Sequence, residues 1–197
     1  MTQARKIVVG LTGRYCAGKG TAARVFSLLG FNVVDADELS HEVLAEKAGD
    51  VTAVWPAVRA PGGGVDRRAL GRIVFADPEA RTRLEGILYP AITERIMRFI
   101  AETDGDVLIN APLLQRAGLQ RICTAVVFVR APALMRLVRA MRRDSLRLRE
   151  AWRRIHAQGD VRPQSNDSGV DTYSVLNWGS ARSLERRTER LARRLKG

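Results

Sequence analysis

The chain has 197 residues, 46% of them hydrophobic, a formal net charge of +12 and two cysteines. That length buries one good core with room for an inserted subdomain. Two cysteines exclude a disulfide framework or a paired-cysteine zinc site, and neither His41 nor His156 has metal-ligand spacing to another donor.

The positive surplus is nearly all arginine, with lysine only at positions 6, 19, 47 and 196. It points to an anionic partner or to coding composition alone. The longest apolar runs, 7–11 and 125–129, fall far short of the ~18–20 residues that cross a bilayer, and the polar start lacks a secretory pattern. A cytoplasmic location without a membrane partner is expected.

In chain order, residues 7–12 read as an apolar strand, 21–29 as a helix closed by Gly30 in cap position, and 32–35 as a second strand, a βαβ opening. From 37 to about 102 helical patterns dominate, broken by turn signals at Trp55-Pro56 and 61–64. Asp66 reads as an N-cap, and Pro78 after Asp77 as a first helical residue. Strands return at 106–110 and 125–129, each followed by a proline, Pro112 or Pro132, suited to open a helix. A last strand at 173–176 precedes a helix at 180–195 with Leu184, Leu191 and Leu195 on one side. The fold class is therefore α/β: a parallel five-stranded sheet joined by right-handed crossovers, with helices on both faces and a helical acceptor-binding subdomain in the middle third.

The segment Gly13-Arg14-Tyr15-Cys16-Ala17-Gly18-Lys19-Gly20-Thr21 fits G-x-x-x-x-G-K between a strand and a helix. Glycines there let backbone N–H groups converge on phosphate oxygens at a helix N-terminus. Gly13, Cys16, Ala17, Gly18, Lys19, Gly20 and Thr21 are the expected nucleotide contacts, with Lys19 reaching the β- and γ-phosphates of ATP. The alternative is a glycine-rich turn with a chance lysine. Gly20 stands where Ser or Thr usually faces Mg²⁺. Thr21 follows, and G-K-G-T resembles adenylate kinases, in which Mg²⁺ keeps most of its water. Thr21 is thus the candidate protein ligand of Mg²⁺.

A motor-type NTPase needs an acid at the end of a hydrophobic strand, and strand 107–109 ends instead in Asn110. The second strand ends in Asp35-Ala36-Asp37, at the sheet edge where ligands bind in βαβ folds. Asp37 is the candidate general base for an attacking hydroxyl; the alternative is that Asp35 or Asp37 caps the helix starting near Glu38. After Pro132, Leu134, Leu137, Val138 and Met141 share one helix face and Arg136, Arg139 and Arg143 the opposite one. That line of arginines is either a solvated face or a set of cations for phosphoryl transfer.

Together these residues resemble the dephospho-coenzyme A kinase family almost end to end. The likeness runs through the loop 13–21, the stretch 30–37 ending D-A-D, 66–70, Val74-Phe75, Leu84, Pro90, the P-L-L of 112–114, Arg139, Arg143-Asp144 and Gln158. It implies a P-loop kinase-type fold with core 1–37, 103–135 and 170–197, a coenzyme A subdomain at about 38–102 and a lid at about 136–169. It further implies ATP and dephospho-coenzyme A as substrates, Asp37 as base for the 3′-hydroxyl, Lys19 as phosphate lysine, Arg143 as lid arginine supported by Arg139, and Asn177 in a segment near the adenine. Gly20, Tyr89 before Pro90, and Gln115-Arg116 after P-L-L depart from the family's usual residues. The competing readings are an adenylate kinase-like or other small-molecule kinase, and an arginine-rich nucleic-acid binder built on Arg182, Arg186, Arg187, Arg190, Arg193 and Arg194. Those six surround the last helix without forming a stripe, so no nucleic-acid partner is expected. Cys16 reads as an ordinary small loop residue, the alternative being a thiol whose modification would affect activity.

Overall fold

Residues 6–156 and 169–197 are described by a computed structural model, and Gln158 lies outside them. The central strand β1 (Val8–Gly13) is buried at all six positions. It lacks polar alternation because both of its faces are covered. Around it the sheet is ordered β2-β3-β1-β4-β5, with β2 Asn32–Asp35, β3 Val107–Asn110, β4 Ala125–Arg130 and β5 Asp171–Leu176. The pairs β1–β3, β1–β4 and β4–β5 run parallel. Leu11 stands in register with Asn110 on one side and Val127 on the other, so the loops after β1 and β3 emerge side by side.

The chain divides into two compact units, Met1–Val34 with Glu102–Gly197, and Asp35–Ala101. In the first, helices α1 (Lys19–Leu28) and α8 (Ala181–Lys196) share a core with the sheet, in which Phe26 and Leu184 join Val9, Leu11 and Val127. Helices α6 (Ala133–Arg143) and α7 (Leu148–His156) close a smaller cluster of Leu137, Ala140, Ala151 and Ile155, with Tyr15 and Cys16 packed against it. Ser180 caps α8 through its hydroxyl. Several arginines of α8 have partners in the protein: Arg187 donates to the Leu176 carbonyl, Arg193 pairs with Glu189 and Arg194 lies over the Tyr173 ring.

The second unit is helical: α2 (Ala36–Glu46), α3 (Ala48–Val54), a 3₁₀ turn at Pro56–Val58, α4 (Arg67–Ala76) and α5 (Pro78–Glu102). Asp66 caps α4, accepting from Arg68 N at 2.8 Å and Ala69 N at 3.0 Å, and α5 opens on Pro78. Arg95 ties α5 to Glu42 and Glu46 of α2. Before α4, a bridge between Arg59 and Val65 closes the turn at 61–64.

Pro112 does not open a helix as its sequence position predicts. The chain turns after β3 and reaches only a 3₁₀ turn at Leu119–Ile122. Tertiary contacts explain the difference: Thr12 Oγ1 donates to Pro112 O at 2.9 Å, and the buried Leu114 lies so close to Gly10 that an added Cβ there would meet its Cδ2 at 2.6 Å. Packing onto β1 holds this segment as a turn. Pro132 stands at the N-cap of α6, where the sequence expects it.

Candidate active site

The phosphate-type loop joins β1 to α1. A turn bond from Ala17 N to Arg14 O at 2.9 Å bends it, and Gly18 then caps α1 in the left-handed region at φ 104°. Only glycine takes that conformation without strain. Space imposes the same choice, because a Cβ on Gly18 would strike the Asn177 amide and come within 2.8 Å of Leu184 Cδ2. Lys19 and Gly20 form the start of the helix, which has no acidic residue in its first turn. A Cβ on Gly20 would meet nothing within 4 Å, so that position is open sterically.

The lysine of the motif donates from Nζ to Asn110 Oδ1 at the end of β3. Asn110 was no part of the expected contact set, although its place at a strand end, where other NTPases carry an acid, was a usable signal. A neutral amide there orients Lys19 while leaving its charge uncompensated by that partner.

Asn177 stands directly after β5 and is 5% exposed. Its Nδ2 donates to Ala17 O at 2.7 Å, and its Oδ1 accepts from Arg139 Nη2 at 3.1 Å. Arg139 reaches on to Gly179 O at 3.3 Å and to Cys16 O at 3.5 Å. The far edge of the sheet thereby braces the loop through one amide and one guanidinium.

Arg143 pairs with Asp144, Nε to Oδ1 at 2.8 Å, and lies 5.3 Å from the Tyr15 ring centroid, while the Tyr15 hydroxyl donates to Asp144 Oδ2. The Arg143 guanidinium, aided by Tyr15, holds the Asp144 carboxyl down to about 2. Burial, and then the bond to Asp144, push the Tyr15 phenol above its ordinary value. Burial likewise raises the Cys16 thiol, against the pull of Arg143.

Burial on α6 cuts across the two sides that the sequence pattern gives. Leu134, Val138 and Met141 are exposed, whereas Arg136 is 3% exposed and Leu137 and Ala140 are buried. The small Ala140 lets the helix approach Ala151 and the loop residues Tyr15 and Cys16, and Arg136 is enclosed with it while the Arg143 side chain stays 63% exposed. A solvated charged face does not describe Arg136 or Arg139.

Gly13, Cys16, Ala17, Gly18, Lys19, Gly20, Thr21, Arg139, Arg143 and Asn177 thus all belong to the sheet-bearing unit. Asp37 belongs to the helical unit. There the helix-cap alternative falls to Asp35, whose Oδ1 accepts from Asp37 N at 2.9 Å, and Asp37 is exposed in the first turn of α2. Among the described residues no group of three or more His, Cys, Asp and Glu side chains could hold a metal.

A parallel sheet whose central strand runs into this loop, with a lysine at its helix N-terminus and arginines along the next face, defines a P-loop phosphotransferase core. The family model for dephospho-CoA kinase matches residues 7–171. The dephospho-CoA kinase of Moorella thermoacetica is 40% identical, the match covering 78% of this chain and 76% of that one. Its counterpart in Anaeromyxobacter dehalogenans is 36% identical over 96% of this chain and 92% of that one. A crystal structure from Thermus thermophilus aligns with a TM-score of 0.82 at 30% identity, over 98% of this chain and 99% of that chain. The chain belongs to the dephospho-CoA kinase family.

Proposed function

We propose that the protein transfers the γ-phosphoryl group of ATP to the ribose 3′-hydroxyl of dephospho-coenzyme A, the last step of coenzyme A synthesis. Family membership supports the reaction, and the observation that carries the ATP half is Lys19, presented at the N-terminus of α1 and oriented by Asn110. The loop amides and Lys19 hold the polyphosphate. Asp37 accepts the proton of the 3′-hydroxyl as its oxygen attacks the γ-phosphorus in line, and the bond from that phosphorus to the β–γ bridging oxygen breaks to release ADP. Charge spreading over the transferred oxygens is met by Lys19 and, once it leaves Asp144, by Arg143.

The reading includes Mg²⁺ brought in with ATP. The donors fit it: Thr21 offers a hydroxyl in the first turn of α1, and a metal that keeps its waters and leans on substrate phosphates needs no carboxylate cage. Bound there, the ion would neutralise phosphate charge. The helical unit is assigned to the acceptor, the segment 136–169 to a lid, and the segment at Asn177 to the neighbourhood of the adenine, on the strength of the family likeness.

The test is purified protein with Mg-ATP and, separately, dephospho-coenzyme A, AMP, shikimate and nucleosides, followed by ADP release and product mass. Product is expected with dephospho-coenzyme A alone. Turnover of AMP without turnover of dephospho-coenzyme A would overturn the proposal.

A further inference from the structure

Of the three arginines that share one side of α6, two have partners supplied by the protein. Arg139 is spent on the carbonyls of Cys16 and Gly179 and the amide of Asn177, and Arg143 on Asp144. Arg136 differs. It is 3% exposed, and its Nε and Nη1 are buried and meet no acceptor among the described residues. Its helix lies against the phosphate loop, since the adjacent Leu137 and Ala140 pack with Tyr15 and Cys16 and Arg139 reaches Cys16 O, and the charges that act on Arg136 are those of the same loop, Arg14 and Cys16. Burial first and Arg14 second make it a weaker base than an ordinary arginine. A guanidinium still cannot shed its proton near neutral pH, so the enclosed charge persists at a cost in stability unless an anion meets it.

We propose that Arg136 is an anion-binding residue of the phosphate site, donating from its buried Nε and Nη1 to a phosphate oxygen of the ligand held by the loop. The position rests on the reading that the loop holds a polyphosphate. Its chemistry is that of a phosphate oxyanion, whether carried by ATP or free. Without ligand, the buried Arg136 bears the repulsion of a like charge, that of the half-buried Arg14. The incoming oxygen relieves that repulsion and fills two vacant donors, so affinity gains from a charge that the empty protein holds at a loss.

The experiment compares wild type with Arg136→Met and Arg136→Lys, measuring apo Tm and calorimetric binding of ATP, pyrophosphate and adenosine. Arg136→Met is expected to melt at or above the wild-type temperature, since an apolar chain of similar length replaces an unpaired buried charge. Its ATP dissociation constant should rise about tenfold to a hundredfold, the span of a charged hydrogen bond, with adenosine binding unchanged. Arg136→Lys should recover part of the loss. In steady state the KM for ATP should rise more than the KM for dephospho-coenzyme A.

Pyrophosphate binding that weakens in parallel extends the position to free phosphates. Pyrophosphate that binds wild type weakly and equally in both variants restricts it to the nucleotide. Equal ATP affinity in wild type and Arg136→Met, or equal losses for ATP and adenosine, would overturn the proposal and leave Arg136 a structural or water-bound side chain. If Arg136→Met yields no folded protein, Arg136→Gln carries the same comparison. A wild type that ignores ATP yet binds pyrophosphate through Arg136 would sink the nucleotide reading and leave the anion position standing.

Discussion

Asn177→Ala probes whether the far edge of the sheet holds the phosphate loop. The side chain spans Ala17 O at 2.7 Å and Arg139 Nη2 at 3.1 Å in a position 5% exposed, so truncation strands a carbonyl and a guanidinium N–H. An unsatisfied buried polar group costs about 1–3 kcal/mol, and a small residual cavity about 1 more. The sum, about 2–4 kcal/mol, lowers Tm by roughly 4–15 °C in a chain of this size. Because Arg139 also reaches Cys16 O and Gly179 O, Arg139→Ala loosens the same loop, and the double variant should lose less than the two singles combined. Urea midpoints give that coupling, expected at about 0.5–2 kcal/mol, and ATP titration of each variant should show weaker binding as the loop loses its preset shape. Losses that add to within about 0.5 kcal/mol, or a wild-type Tm in Asn177→Ala, would refute the brace.

Lys19→Ala and Asp37→Ala should each lower kcat by about 10²–10⁴ with Tm near wild type, because the α2 cap is Asp35 and the Lys19 contact lies at the end of a helix; a folded Asp37→Ala enzyme with normal turnover removes the base. The Arg143–Asp144–Tyr15 tie depends on the carboxylate, whose folded value is depressed to about 2, so it is intact above the ordinary carboxyl range near 4 and is lost as pH falls toward 2. Carbon-13 titration should find Asp144 moving back toward the ordinary range in Arg143→Ala, and an Asp144 that already titrates near 4 in wild type contradicts the geometry. Burial lifts both thiols, Cys123 to about 12, so alkylation by iodoacetamide at pH 7 should be slow at Cys16 and Cys123 alike until the chain unfolds. Rapid loss of activity through Cys16 would count against its enclosed setting.

Local chemistry wrote much of the molecule legibly. The opening strand, the loop and α1 follow from an apolar run, glycines with a lysine, and a helical pattern, all settled within a few residues of one another. Asp66 and Ser180 cap their helices because a short side-chain oxygen meets N–H groups two or three residues on, whatever surrounds it. A resemblance carried by short motifs added the family and its substrate, which spacing alone left open between several kinases.

Other features needed the folded chain. Lys19 finds Asn110 across 91 positions, Tyr15 finds Asp144 across 129 and Asn177 finds Ala17 across 160, and no local pattern links such pairs. Pro112 looked like a helix opener until packing of Leu114 against Gly10 held its segment as a turn. On α6 periodicity set four apolar residues apart from three arginines, yet it could not say which of them would be enclosed: Leu137 and Arg136 are buried, Leu134 and Arg143 exposed. That choice fell to the fit of Ala140 and Leu137 against α7 and the phosphate loop, which outweighed the burial of Leu134, Val138 and Met141 and enclosed Arg136 instead. Sequence by itself determined the elements and the loop, because hydrogen bonding and backbone preference act over a few residues; which charges ended up enclosed was decided by tertiary packing, because burial is a property of neighbours that only the fold supplies.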